Sequence, residues 1–488
     1  MAPSRERGPM TLFHPYDDPS AAARSVELTV AERVARGRQA RKTASRESQG
    51  EWTPASDRPD PVSLLEEQAV TRVPELVPVR YARMMESPFA FFRGGALIMA
   101  WDLAHSTTSG LVVQACGDAH ISNFGLFASP ERQLVFDVND FDETTPAPWD
   151  WDVRRLIASI EIAARQNGFS KKQRARIVSD AANAYQTGMK EFAKQGNIEV
   201  WYTHVALSSD LAYARTQLDK DSLAQLRKVI DKAMTRDSQQ ALTRLTKLVD
   251  GERRFISEPP LIVPLSELFD PARHESFVSD MRNLLTAARD NLSDERRMLF
   301  DRYRIVDIAR KVVGVGSVGT RTQIMLLTGR DEDDVLMLQA KEAEASVLER
   351  FVGPSQFAEH GERVVIGQRR MQAVSDVFLT WGRLERGLDD DRSHDFYFRQ
   401  LRDWKGSWDP SEMNPKGMSF YASGCAVVLA RAHARTGDPI AIASYLGTGK
   451  RYTEAMVEFA RAYADQNEKD YAHFVDAVNA GRIVASEA

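Results

Sequence analysis

At 488 residues, with 43% hydrophobic and 27% charged side chains, the chain has apolar material for a large core and an ordinary globular composition. A net charge of -5 argues against a general nucleic-acid binder, and only two cysteines, Cys116 and Cys425, exclude a disulfide framework and point to a reducing, cytoplasmic setting. No apolar run approaches the roughly 20 residues of a membrane span, and the first residues lack the apolar core of a signal peptide.

Residues 1–26, with Pro, Ser and Asp throughout, read as a mobile tail. Arg33, Arg36, Arg38, Arg41, Lys42 and Arg46 follow as a short basic patch. Its plain reading is a solvated helix face docking on the body, with contact to an anionic partner as the functional alternative.

The chemistry concentrates at 115–142, where Ala115-Cys-Gly-Asp-Ala-His-Ile-Ser-Asn123 is followed by Asp140-Phe-Asp142. Asp118 can accept the proton of an attacking hydroxyl. Asn123, five residues on, is within one tight loop of a metal, and Asp140 offers the hard carboxylate oxygen that Mg2+ takes. Asp142 is a second-metal or bracing candidate. Asp137 fits less well, since its side chain alternates with Phe136 along one strand. The plain alternative is a turn rich in Asp and Asn braced by a buried His. A dinuclear phosphoesterase also uses Asp-x-His, but it needs more ligands than nine scattered histidines provide.

Downstream, the spacing predicts a helix over 151–165, stopped by Gly168, and a second one capped by Ser170 and running to Phe192. Helical rhythm returns over 222–250 and 276–300, separated by an extended linker at Pro259–Pro264. These helices are expected to wall a substrate cleft.

Residues 311–341 read as strand, glycine-rich turn (Gly314, Gly316, Ser317, Gly319), strand, charged hairpin, strand, with Lys341 ending the third strand. Glycines let backbone N–H groups approach phosphate oxygens, and a lysine on the next strand can reach the α- and β-phosphates. A dinucleotide-binding fold needs such glycines to open a helix, whereas 318–327 alternates as a strand. The competing reading is a hairpin with flexible turns and a solvated lysine. A helix is expected over 342–351, with Glu349 pairing Lys341 and Glu342 and Glu344 as rivals. Residues 362–372 and 376–381 read as two further strands of the same small sheet. Arg399, Arg402 and Lys405 suit an anion or ordinary surface pairing.

Asp118, His120, Asn123 and Asp140-Phe141-Asp142 resemble the catalytic loop and metal motif of aminoglycoside and choline kinase-like phosphotransferases, relatives of protein kinases. Asp152 resembles the aspartate these families carry on the helix after the metal motif. Cys116 departs from the His that many of them place before the Gly-Asp pair. From about residue 30 the chain also resembles a bacterial family of unknown function, number two-two-five-two, through phrases such as Arg80-Tyr-Ala-Arg-Met84, Ser87–Gly94, Asn139–Thr144, Lys341-Glu-Ala343 and Arg399–Ser407. The catalytic loop precedes the glycine loop, the reverse of kinase order, so the resemblance implies a circularly permuted, two-lobed α+β fold. The helix at 421–435 resembles the one that precedes the catalytic loop in ordinary kinases, with core packing as its plain alternative.

The expected division is 27–300 and 391–488 for a mostly helical lobe and 301–390 for a small antiparallel sheet lobe. The implied activity is Mg-ATP-dependent phosphoryl transfer to a hydroxyl of a small molecule or protein. In it Asp118 is the base, Asn123, Asp140 and Asp142 are metal ligands, and Gly314, Gly316, Ser317, Gly319, Lys341 and Glu349 attend the nucleotide. AMP transfer on the same scaffold and a non-catalytic nucleotide-binding protein are the alternatives.

Overall fold

The computed structural model describes residues 28–236, 238–312, 314–385, 392–401 and 403–486. The expected tail at 1–26 and Arg402 lie outside these residues. Thr29 caps the first helix, α1 (Val30–Thr43), in a reciprocal box with Glu32. Two short helices, α2 (Val77–Met85) and α3 (Pro88–Gly94), lead toward the strands β1 (Val112–Ala115), β2 (Phe124–Ala128), β3 (Leu134–Val138) and β4 (Thr145–Pro148). β1 pairs with β4 and β2 with β3, both antiparallel. Helix α4 (Trp149–Gln166) follows at once, and Ser170 starts α5 (Lys171–Phe192) in a capping box with Gln173, as the sequence predicts.

A six-stranded antiparallel sheet occupies the middle of the chain. Its first strand, β5 (Ile262–Pro264), replaces the expected linker, and Pro264 is tolerated because β5 is an edge. Helix α6 (Pro271–Asp290) and a short helix at Asp294–Phe300 precede β6 (Arg304–Lys311), β7 (Thr322–Thr328) and β8 (Val335–Ala343). Helix α7 (His360–Met371), β9 (Thr380–Leu384) and β10 (His394–Gln400) complete the unit. The strand order is β9-β10-β8-β7-β6-β5, so the sheet runs from 262 to 400, wider than 301–390. α6 covers one face through Phe277, Met281 and Leu284, and Leu242 and Leu245 cover part of the other. Covered on both faces, β7 is buried along its whole length.

Several expected elements differ. The region 362–372 is helix, not strand, and the strand expected at 376–381 begins at Thr380. The helix expected over 342–351 is the end of β8, a loop, and a single turn at Glu349–Val352. The helical stretch over 222–250 ends in a strand at Thr246–Val249.

The chain then returns to the helical body with α8 (Pro415–Thr436), α9 (Pro439–Leu446) and α10 (Arg451–Asn479). α8 packs along α5, and α10 lies on α4 and α5. α9 receives α1: Gly37 sits against Ser444 and Tyr445, and Arg46 donates to the Leu446 carbonyl at 3.1 Å. The basic patch thus sits on a helix docked on the body. The architecture is mixed α+β, mostly helical with small antiparallel sheets. Among the described residues no helix is long and apolar enough to cross a membrane.

Candidate active site

The loop after β1 is built around one carboxylate. Asp152, in the first turn of α4, accepts the backbone N–H of Cys116 at 2.6 Å and of Gly117 at 2.9 Å. Its orientation is fixed from beneath by His433 of α8, 3.1 Å away, whose other ring nitrogen is 2.8 Å from the Tyr185 hydroxyl. Gly117 has φ +84°, and a Cβ there would strike the Glu143 carbonyl, so only glycine makes this turn. The chain then presents Asp118, 21% exposed, with Oδ1 accepting from Arg155 Nε at 2.8 Å. Arg155 stands three residues after Asp152, on the same face of α4, so one helix positions the consecutive residues 116–118.

His120 is buried, with Nε2 3.7 Å from Asp118 and Nδ1 lacking a partner among the described residues. Burial pushes its imidazole down to about 4, against the pull of Asp118. Asn123 ends a single 3-10 turn, and its Nδ2 donates to the carbonyls of Asp118 at 2.9 Å and Asp140 at 3.1 Å. Cys116 is fully buried with its thiol pushed well up, the state of a small packed hydrophobe.

The β2–β3 hairpin delivers the second group. Asn139 N–H bonds the Asn123 carbonyl at 2.9 Å, joining the two motifs, and Asp140 and Asp142 follow. Lys341 meets them from the sheet. Its Nζ lies 3.3 Å from Asp140 and also contacts Asp142. The register explains this: Lys341 on β8 is directly opposite Tyr397 on β10, so both side chains leave one face. Tyr397 donates its hydroxyl to Asp142 at 2.8 Å. Burial opposes the charge on Lys341, yet Asp140 and Asp142 hold its ammonium far above the ordinary lysine range. Burial likewise opposes ionised Asp140, but Lys341 and Arg399 hold it well below the usual carboxylate range. Asp142 moves the other way, raised by burial and by the Asp140 charge.

Asp118, His120, Asn123, Asp140 and Asp142 open on one cleft of about 670 Å³, whereas Lys341 and Tyr397 are buried and contact the two carboxylates without lining it. Asp118, Asn123, Asp140 and Asp142 line it together with Gly314, Gly316 and Ser317. Gly314 and Gly319 have φ +68° and +92°. Gly319 faces the Arg72 side chain at 3.1 Å from a notional Cβ, and Gly316 faces the Arg93 carbonyl at 3.2 Å. The loop therefore rests on α3 and on the segment before α2. Ser346 and Val347 close one corner by donating to Glu143, which burial raises to about 7.

Glu349 does not meet Lys341. It lies 3.3 Å from Arg363 and accepts the Ser346 and Ser355 N–H groups, because the backbone after β8 turns away instead of forming a helix. Glu342 is held by Arg321 and His394 on the other side of β8. Asp137 is a buried partner of Arg431. Arg399 bonds the Asn139 carbonyl at 3.0 Å, and Lys405 lies at a separate small hollow. Residues that motif reading missed include Arg155, Tyr397, Glu143 and Arg72. Only register could have flagged Tyr397, and nothing local marks the others.

Residues 72–477 match a family described as an uncharacterized protein conserved in bacteria, DUF2252. The chain belongs to that family. No curated protein and no solved structure matches it. The DUF2252 span begins at Arg72 and takes in most of the cleft lining, while Glu67, Gln68, Thr71 and α1 lie before it.

Among the described residues no group of three or more His, Cys, Asp or Glu is arranged to hold a metal ion. A cation would instead rely on Asp140, Asp142 and the amide oxygen of Asn123, whose Nδ2 is already engaged. That all-oxygen set suits a hard cation that keeps several waters. The chemistry of the donor set therefore fits Mg2+.

Proposed function

We propose that the cleft binds a magnesium–nucleoside triphosphate and that the chain transfers its terminal phosphoryl group to a hydroxyl. The observation that carries this reading is that Asp118, Asn123, Asp140 and the 314–317 loop line one cleft, and that Lys341, 201 residues further along the chain than Asp140, contacts Asp140 just behind its wall. A kinase-like, circularly permuted chain order is part of the same proposal.

In this reading Asp118 orients the acceptor and takes its proton as the hydroxyl oxygen bonds to phosphorus and the bond to the leaving phosphate oxygen breaks. Arg155 keeps that carboxylate pointed into the cleft. Lys341 and the backbone of the glycine loop hold the phosphates, and Asp140, Asn123 and Asp142 hold Mg2+, which when bound neutralises phosphate charge. In this reading the cleft aligns the reactants in line, which supplies much of the rate in such sites.

The test is to incubate the full chain with ATP, Mg2+ and a metabolite extract and to weigh the products. A phosphoryl gain on a hydroxyl compound, dependent on Mg2+, is expected. A nucleotidyl gain would move the reading to AMP transfer on the same residues. Folded protein that neither binds nor consumes ATP would overturn it.

A further inference from the structure

Three arginines in the cleft wall have more donors than partners. Arg80, on α2, is fully buried at 0% exposure. Its Nη2 donates to Gln68 at 3.2 Å and to the Gly94 carbonyl at 2.9 Å, while Nε and Nη1 have no partner among the described residues. Arg72, 9% exposed, gives Nη1 to the Val318 carbonyl and leaves Nε unpartnered. Arg93 leaves Nε unpartnered too, and it makes no hydrogen bond or ion pair among the described residues. All three line the cleft.

Holding the glycine loop accounts for one donor of Arg72 and leaves the others unexplained. Burying a guanidinium is costly, and Arg80 shows it: burial, then the neighbouring Arg72, depresses its pKa, whereas Glu344 and Glu143 partly offset the burial of Arg72, and Asp118 that of the partly buried Arg93. The guanidinium fork matches an oxyanion in geometry as well as charge. The three also form a continuous row. Arg72 lies against Gly319, Arg80 bonds the Gly94 carbonyl beside Arg93, and Arg93 is within the field of Asp118. The row thus runs from the glycine loop to the proposed base.

We propose that Arg72 and Arg93, with the charge of the fully buried Arg80 behind them, form a phosphate-type oxyanion site in the cleft wall. It takes either an anionic group carried by the acceptor or the terminal phosphate of the nucleotide. Naming those two sources rests on the phosphoryl-transfer reading; the oxyanion site itself does not.

The probe is inorganic phosphate, titrated calorimetrically into the full chain without nucleotide. Phosphate should bind, and Arg93→Gln should weaken it by roughly 10–100-fold, the usual effect of losing a charge-assisted contact. Arg93 has no described bond to lose, so the variant should melt as the parent does. Phosphate binding that survives saturating MgATP assigns the site to the acceptor. Binding that competes with ATP but not with ADP assigns it to the terminal phosphate. No phosphate binding, or equal binding by the parent and Arg93→Gln, overturns the site. Phosphate binding without any ATP binding sinks the transfer reading alone, and ATP turnover without an effect of Arg93→Gln sinks the oxyanion site alone.

Discussion

Asp118 is both a bonded group, through Arg155, and a cleft-facing one, so substitution has to separate the two roles. An amide still accepts from Arg155. Asp118→Asn should therefore melt close to the parent, bind nucleotide nearly as well, and slow transfer by roughly 10²–10⁴, the contribution of a positioned base. Asp140→Asn should instead lose Mg2+-dependent nucleotide binding, because an amide lacks the carboxylate charge. Nucleotide affinity, turnover and melting on both variants decide, and parent-like turnover by a normally melting Asp118→Asn removes Asp118 as the base. His120 gives a pH test. Its folded pKa lies below the unfolded one, so its contribution to stability is present above about pH 6.5 and is lost as pH falls toward about 4. From pH 7 to pH 5 the parent should lose roughly 2 kcal/mol more in urea unfolding than His120→Gln. Equal losses would show that burial does not keep this imidazole neutral.

Local pattern carried the elements whose own backbone satisfies them. Helices α4 and α5 follow from apolar periodicity, Gly168 and the Ser170–Gln173 box. The failures have a common cause, a partner distant in sequence. After β8 the N–H of Val347 goes to the Glu143 carboxylate, 204 residues away, so no helix forms where charge and propensity suggest one. In α7 the run Val364-Val365-Ile366 imitates a strand. Val364, Val365, Gln368 and Met371 nevertheless make one buried helical face. The glycines also divide by what surrounds them. Gly117→Ala must push the Glu143 carbonyl aside as well as adopt positive φ, whereas Gly314→Ala finds only Ser317 Oγ, 3.9 Å away. Gly314→Ala should cost about 1 kcal/mol, and Gly117→Ala clearly more, with the 117–143 packing lost. Thermal melts of the two variants check this, and a Gly117→Ala protein as stable as Gly314→Ala would show that the loop is not held as described.

Across the whole molecule, the gathering of Asp118, Asn123, Asp140 and Asp142 at one cleft was legible because each sits in a short run with recognisable spacing. The arginine row was not, since its contacts join positions such as Arg72 and Val318, 246 residues apart. The link between the sheet and the helical body is likewise non-local, and Lys341 is its charged centre. Its side chain is 2% exposed, and it faces two carboxylates that are themselves partly open, Asp140 at 37% and Asp142 at 27%. Removing the ammonium leaves two neighbouring negative charges with one cation fewer. Lys341→Met should therefore destabilise the chain in metal-free buffer, though by less than the 3–5 kcal/mol typical of a fully buried pair, because solvent screens the exposed carboxylate edges. Asp142→Asn alone should cost less, since Asp140 still holds Lys341. In the double variant Lys341→Met/Asp142→Asn one of the two clashing charges is gone, so part of the loss should return. The expected coupling between Lys341 and Asp142 is roughly 1–3 kcal/mol, read from urea midpoints of the four proteins. Added Mg2+ should recover part of the Lys341→Met loss, because a cation between Asp140 and Asp142 replaces the missing charge. Strictly additive losses, unchanged by Mg2+, would mean that the sheet and the body are not joined through this ion cluster.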